Sequence, residues 1–152
     1  MTKQVLVTVG NAMMGDDGAG PYLAERLLSE PIENWMLLDG GTMPEDSLYK
    51  IRQIQPDRVV VVDAADFGEK AGEIRIIGAE TINDMFMVST HALPLNFFIE
   101  ELETFVPEVT FVGIQPAIVA FSFPMTEMVK KSVDEIYNRL TSWKGSTEFE
   151  HC

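Results

Sequence analysis

Cysteine is nearly absent: among 152 residues the only one is Cys152, the last. No internal disulfide can form and no cysteine-based metal knuckle exists, so a reducing, cytoplasmic setting is expected. Histidine is almost as scarce, with His91 and His151 alone, and no His-Glu-x-x-His helix is present. Basic residues are few. Eleven Lys and Arg stand against 24 Asp and Glu, a formal net charge of −13. A surface of that sign repels nucleic acid and anionic membranes, so neither is expected as a partner, and a bound cation or a basic partner fits better. Long apolar runs are also missing. The segments around Val59–Val62, Phe111–Ile114 and Ala117–Phe121 fall far short of the roughly 18 residues that span a bilayer. The opening Met1-Thr2-Lys3-Gln4 carries no apolar signal-peptide stretch, so none is expected.

What remains is an ordinary globular balance, 46% hydrophobic and 23% charged. That composition is too apolar for a solvated coil and long enough for one buried core. No linker, repeat or low-complexity stretch divides it, so residues 1–152 read as a single domain, with about 145–152 as a variable tail. Short β-branched runs occur at Gln4–Val9, Trp35–Leu38, Arg58–Val62, Glu73–Ile77 and Glu108–Val112. Between most of them lie segments of helical spacing: Leu23, Leu27 and Leu28; Leu48, Ile51 and Ile54; Leu95, Phe98, Ile99, Leu102 and Phe105. A last helix carries Val129, Val133, Ile136, Tyr137, Leu140 and Trp143 on one face. Strands alternating with helices predict a three-layer α/β/α sandwich around a mostly parallel, twisted sheet. The turn-rich link Phe67–Gly72 predicts that Glu73–Ile77 returns antiparallel as an edge strand. No apolar heptad is present, and a monomer is expected.

Three strands run into acids. The first is followed by a glycine-rich loop containing Asp16-Asp17-Gly18, the second by Asp39-Gly40-Gly41-Thr42, the third by Asp63-Ala64-Ala65-Asp66. In an open parallel sheet the carboxyl ends of the strands line the ligand crevice. Asp17, Asp39 and Asp63 are therefore expected to converge. Each taken alone reads as turn or cap chemistry. Taken together they read as a functional cluster, because gathered carboxylates repel unless a cation or shared proton compensates.

The glycines of the first loop do not make a phosphate site. Gly10 and Gly15 have the spacing of a P-loop, but Asp16 and Asp17 stand where Lys and Ser/Thr belong. Acids at a helix amino terminus occupy the place a phosphate would take. His91, in Ser89-Thr90-His91-Ala92-Leu93-Pro94, stands just before the third helix, where it can reach the same crevice. One imidazole with two carboxylates makes a candidate site for a divalent transition metal. Ser89 and Thr90 lack the Gly-x-Ser-x-Gly elbow of an activated nucleophile.

Val9-Gly10-Asn11, Asp16-Asp17-Gly18, Asp39-Gly40-Gly41-Thr42, Val62-Asp63-Ala64 and Thr90-His91, in this order, resemble the [NiFe]-hydrogenase maturation proteases. Met13 to Pro21, Gly72 to Ile77, Met85-Phe86-Met87, Pro94-Leu95-Asn96 and Gly113-Ile114-Gln115-Pro116 resemble the subgroup serving formate hydrogenlyase. The resemblance runs from about Val5 to Trp143. It implies a cytoplasmic α/β/α endopeptidase, grouped with aspartic-type peptidases by its essential acids. Its expected partner is the precursor of the hydrogenase large subunit, from which it removes a carboxyl-terminal extension. The expected metal is nickel carried by that precursor, with Asp17, Asp63 and His91 as ligands and the ion as a recognition handle. Asp39 matches an acid linked to activity, so Asp17, Asp39 and Asp63 form the expected catalytic set. Two hydrolytic routes stay open: an acid, with Asp39 the candidate, as general base toward water, or the ion as Lewis acid on the scissile carbonyl. The paired Asp-Thr/Ser-Gly elements of pepsin-like enzymes are absent. The alternatives are a metallochaperone that escorts the large subunit without cutting, and a small magnesium-dependent hydrolase that has no use for His91.

Overall fold

The computed structural model describes residues 2–84 and 95–152; His91, with Ser89 and Thr90, lies outside the described residues. The β-branched runs form five strands: β1 (Gln4–Val9), β2 (Trp35–Gly41), β3 (Arg58–Ala64), β4 (Ile74–Ile76) and β5 (Glu108–Ile114). They lie in the order β2-β1-β3-β5-β4, parallel throughout except where β4 runs antiparallel to β5. Valine dominates β1 and β3 because both of their faces are covered. Val5, Val7, Val59, Val61 and Phe111 pack into one layer, and Leu6, Val60, Val62 and Val112 into the other.

The helices divide accordingly. The helices α1 (Ala19–Ser29) and α5 (Glu127–Leu140) cover the Leu6 face through Leu23, Leu27, Val133 and Ile136. The helices α2 (Leu48–Ile54), α3 (Ala79–Asp84) and α4 (Leu95–Glu103) cover the Val5 face through Ile51, Ile82, Phe98 and Leu102. The architecture is the expected three-layer α/β/α sandwich with one antiparallel edge strand. One detail differs from the sequence reading. The strands β2, β3 and β5 run on past Leu38, Val62 and Val112, so Asp39 and Asp63 lie inside strands and not after them. Their neighbours keep pairing: Thr8 is opposite Asp39 and Gly113 opposite Asp63. The edge strand β4 pairs with β5 and not with β3, the strand that precedes it. Its link crosses two strand spacings, roughly 10 Å, which leaves a place for β5 to enter.

The order of the strands locates the crevice. After β1 the chain crosses through α1 to β2 on one side, then returns through α2 to β3 on the other. The carboxyl ends of β1 and β3 thus form the topological switch point, where the connecting segments part and leave a cleft.

The tail packs back on the domain. Trp143 sits edge-on to Trp35 and tilted against Phe149. The Ile76 N–H donates to the Glu150 carbonyl at 2.8 Å and the Cys152 N–H to the Ile76 carbonyl at 3.0 Å, which covers part of the exposed edge of β4. Arg75 beside it hydrogen-bonds Glu73, and with Glu150 and Glu69 nearby its guanidinium is held above the ordinary arginine value. Among the described residues no helix is long and apolar enough to cross a membrane.

Candidate functional site

The first loop is folded tightly by glycine. Gly10 has φ +140°, and a Cβ there would stand 2.1 Å from the carbonyl oxygen of Asp17, so only glycine lets the loop close on itself. A Cβ on Gly20, in the first turn of α1, would likewise stand 2.1 Å from the Val9 carbonyl oxygen, so glycine lets the helix sit directly on the end of β1. Asp17 rides in the short 3-10 turn Gly15–Gly18 between them. Its side chain is only 3% exposed, and one carboxylate oxygen accepts the Asn11 N–H at 2.9 Å.

Asp63 is fully buried in the last turn of β3. Strand alternation puts it on the face of Val59 and Val61, toward the layer that holds α4. Its neighbour on β5 is Gly113, whose missing side chain leaves room that Ile77 and Ala65 occupy. Asp17 and the residues directly after Asp63 meet in one cleft of about 240 Å³. Ala64, Ala65 and Asp66 supply one wall and Gln115, Pro116, Ala117 and Val119 the other. Of the sequence-predicted acids Asp17 lines the cleft, while Asp63 lies buried one residue before its Ala64 wall.

Asp39 stands apart. It is exposed on β2, the outer strand, and its Oδ1 accepts the Gly41 N–H at 3.1 Å. Its register with Thr8 and its alternation with Leu37 put it on the opposite sheet face from Asp63. The pairing slips at Gly40, a bulge of the kind that re-aims a strand end. Asp39 does not line the cleft with Asp17. Among the described residues no three His, Cys, Asp or Glu side chains are grouped to hold a metal ion, so the expected ligand set depends on His91.

Asp16 does something the sequence did not disclose. It is fully buried, and its carboxylate accepts the N–H groups of Ala117 (2.8 Å), Ile118 (3.1 Å) and Thr126 (2.7 Å) together with the Thr126 hydroxyl (3.0 Å). Its own N–H donates to the Ile118 carbonyl at 2.7 Å. Asp16 is thus the clamp that fastens the loop after β5 to the loop after β1, while Asp17 beside it turns to the cleft.

The sequence profile of the family described as HycI, hydrogenase maturation protease, matches residues 21–143. The hydrogenase 3 maturation protease of Escherichia coli K12 is 50% identical over 145 residues, which cover 95% of this chain and 93% of that protein. The chain belongs to the hydrogenase maturation protease family. Two solved structures agree with the membership. The crystal structure of a hydrogenase 3 maturation protease superposes with TM-score 0.91 at 48% identity, covering 99% of this chain and 96% of that one. A [NiFe] hydrogenase maturation protease from Thermococcus kodakarensis KOD1 superposes with TM-score 0.78 at 31% identity, covering 92% and 90%. In this maturation protease the cleft wall is held by a residue that sequence reasoning passed over. Gln115 Oε1 accepts the Phe67 and Glu69 N–H groups at 2.9 and 3.2 Å, while its Nε2 donates to Asp66 at 3.1 Å. Gln115 appeared in the sequence only within the Gly113-Ile114-Gln115-Pro116 stretch of the family resemblance, without a role.

Proposed function

We propose that this maturation protease removes a carboxyl-terminal extension from the nickel-loaded precursor of a [NiFe]-hydrogenase large subunit, with the ion as its recognition handle. The reading rests on one observation: Asp17 and the carboxyl end of β3 share the switch-point cleft. His91 is the third donor of the proposal. In the sequence it precedes Leu95, the first residue of α4, by four residues.

The donor chemistry supports a site that reads a metal without taking it. Two carboxylates and an imidazole suit a divalent transition ion, but they bind it less tightly than thiolates do. Nickel seated among the cysteines of the precursor would stay there while the protease contributes outer ligands. A precursor without the ion would cover the two carboxylates and strip their water with no cation to offset the charge, which disfavours docking. For hydrolysis, the ion carried by the substrate would polarise a nearby carbonyl. The other route has Asp39 as general base toward water, and its exposure on β2 leaves it open to solvent and to an incoming strand.

The test is a mass measurement. Purified protein mixed with nickel-loaded precursor is expected to shorten the precursor by its carboxyl-terminal extension, and the nickel-free precursor is expected to keep its full mass. Binding without any mass loss would make the protein an escort. Equal trimming of both forms would remove the ion from recognition.

A further inference from the structure

The longest stretch of the chain without an Asp, Glu, Lys, Arg or His is 109–126, in a protein of net charge −13. Its first part is the buried strand β5. The remainder, from Gln115 onward, is loop, yet it carries some of the most exposed large apolar side chains of the molecule: Phe121 at 65% and Phe123 at 53%. Met13, on the facing loop, is 58% exposed, and its carbonyl accepts the Ser122 N–H at 2.9 Å. Isolated exposed apolar residues are ordinary, but two phenylalanines on an uncharged loop, with a methionine of the facing loop bonded beside them, form a patch that calls for an occupant.

The backbone shows that the patch is built and not frayed. The Phe123 N–H donates to the Ala120 carbonyl at 3.2 Å, closing a tight turn with Phe121 and Ser122 at its centre. Ser122 has φ +65°, a left-handed conformation that this turn position normally gives to glycine. A non-glycine residue held there carries strain that the surroundings must maintain. Those surroundings are the Met13 carbonyl and, a few residues away on either side, the Asp16 clamp on Ala117, Ile118 and Thr126. The turn therefore presents both phenylalanines outward at a fixed place.

That place continues into the cleft. Val119, two residues before Phe121, lines it together with Asp17. Whatever covers the phenylalanines lies beside the mouth of the cleft. A second copy of this chain seated there would crowd the cleft that the substrate has to enter, and the turn Ala120–Phe123 itself carries no charge to orient a charged partner. We infer that the turn Ala120–Phe123, with Met13, is the docking surface for an uncharged, apolar segment of the precursor protein, which it anchors beside the metal-reading site. The inference rests on the function proposed above and adds a second, metal-independent point of recognition.

The test replaces both anchors, Phe121→Ser with Phe123→Ser, in the full chain. Exposed side chains contribute little to folding, so the melting temperature is expected to stay within about 2 °C of wild type. With nickel-loaded precursor, KM is expected to rise by roughly 10–100-fold with kcat nearly unchanged, as expected when paired aromatic anchors of an interface are removed. The pair Phe121→Leu and Phe123→Leu is expected to keep most of the affinity. Binding of the precursor, followed separately by surface-immobilised titration, is expected to weaken by the same factor. If the wild type binds but never cuts, the proposed function fails while the binding comparison still decides this surface. An unchanged KM and affinity in the serine variant would overturn the docking surface. So would a concentration-dependent dimer of the wild type that the serine substitutions dissolve.

Discussion

Asp63→Asn is expected to slow carboxyl-terminal trimming of nickel-loaded precursor by about 10²–10⁴-fold, the range seen when a positioned group at the reacting centre is lost. The fold is expected to survive, because the substitution keeps the size and shape of the side chain in a fully buried place at the end of β3. Asp17→Asn and His91→Ala are expected to lose activity to a similar degree. For Asp17 the fold changes little, since the amide oxygen still accepts the Asn11 N–H. The three losses should also be strongly non-additive, as ligands to one ion act as a unit. Asp39→Asn separates the two roles. It is expected to lower kcat while the nickel-dependent binding of precursor persists, because Asp39 lies on the outer strand away from the cleft lined by Asp17. Normal trimming by the Asp17, Asp63 and His91 variants would show that the site has been assigned to the wrong residues.

The second large effect is on stability. Asp16→Ala leaves the N–H groups of Ala117, Ile118 and Thr126 without the acceptor that now holds them. Each hydrogen bond to a charged acceptor contributes about 1.5–3 kcal/mol, and water will recover part of the loss as the loop loosens. A net destabilisation of about 3–5 kcal/mol is expected. For a domain of this size that lowers Tm by about 6–20 °C, measurable by calorimetry. Asp16→Asn is expected to fall between, because an amide offers one oxygen where the carboxylate offers two and turns its NH₂ toward donors. A melting temperature within about 2 °C of wild type in Asp16→Ala would mean that the clamp contributes little to holding the two loops.

The contrast between Asp16 and Asp17 shows what the sequence could and could not convey. Hydrophobic period identified the strands and the core helices, because burial on both sheet faces imposes continuous β-branched runs such as Val59–Val62. The rule that ligands gather at the carboxyl ends of parallel strands pointed at Asp17, Asp39 and Asp63, and of these Asp17 lines the cleft. The rule was not enough to separate two adjacent acids. Asp16 is recognised only through its partners at Ala117, Ile118 and Thr126, about a hundred residues away, and a contact so distant leaves no local pattern. Gln115 was hidden for the same reason, since its donors and acceptors lie on the turn after β3. Asp39 illustrates the opposite limit. Its position at a strand end was legible, but the face it occupies depends on register, and a single residue of register reverses that face. The partner of β4 was likewise set by where β5 enters the sheet, a non-local choice that turn composition at Phe67–Gly72 does not encode.

The membership and the fold account for a peptidase scaffold; the remaining claim is that Asp17, Asp63 and His91 surround one ion. Crystals of the protein soaked in zinc, a borderline ion suited to the same donors, test it most directly through anomalous diffraction. A single anomalous peak is expected with a carboxylate oxygen of Asp17, one of Asp63 and a ring nitrogen of His91 each at roughly 2.0–2.2 Å. A peak ligated by other residues, or a well-ordered His91 ring turned away from the two carboxylates, would contradict the account.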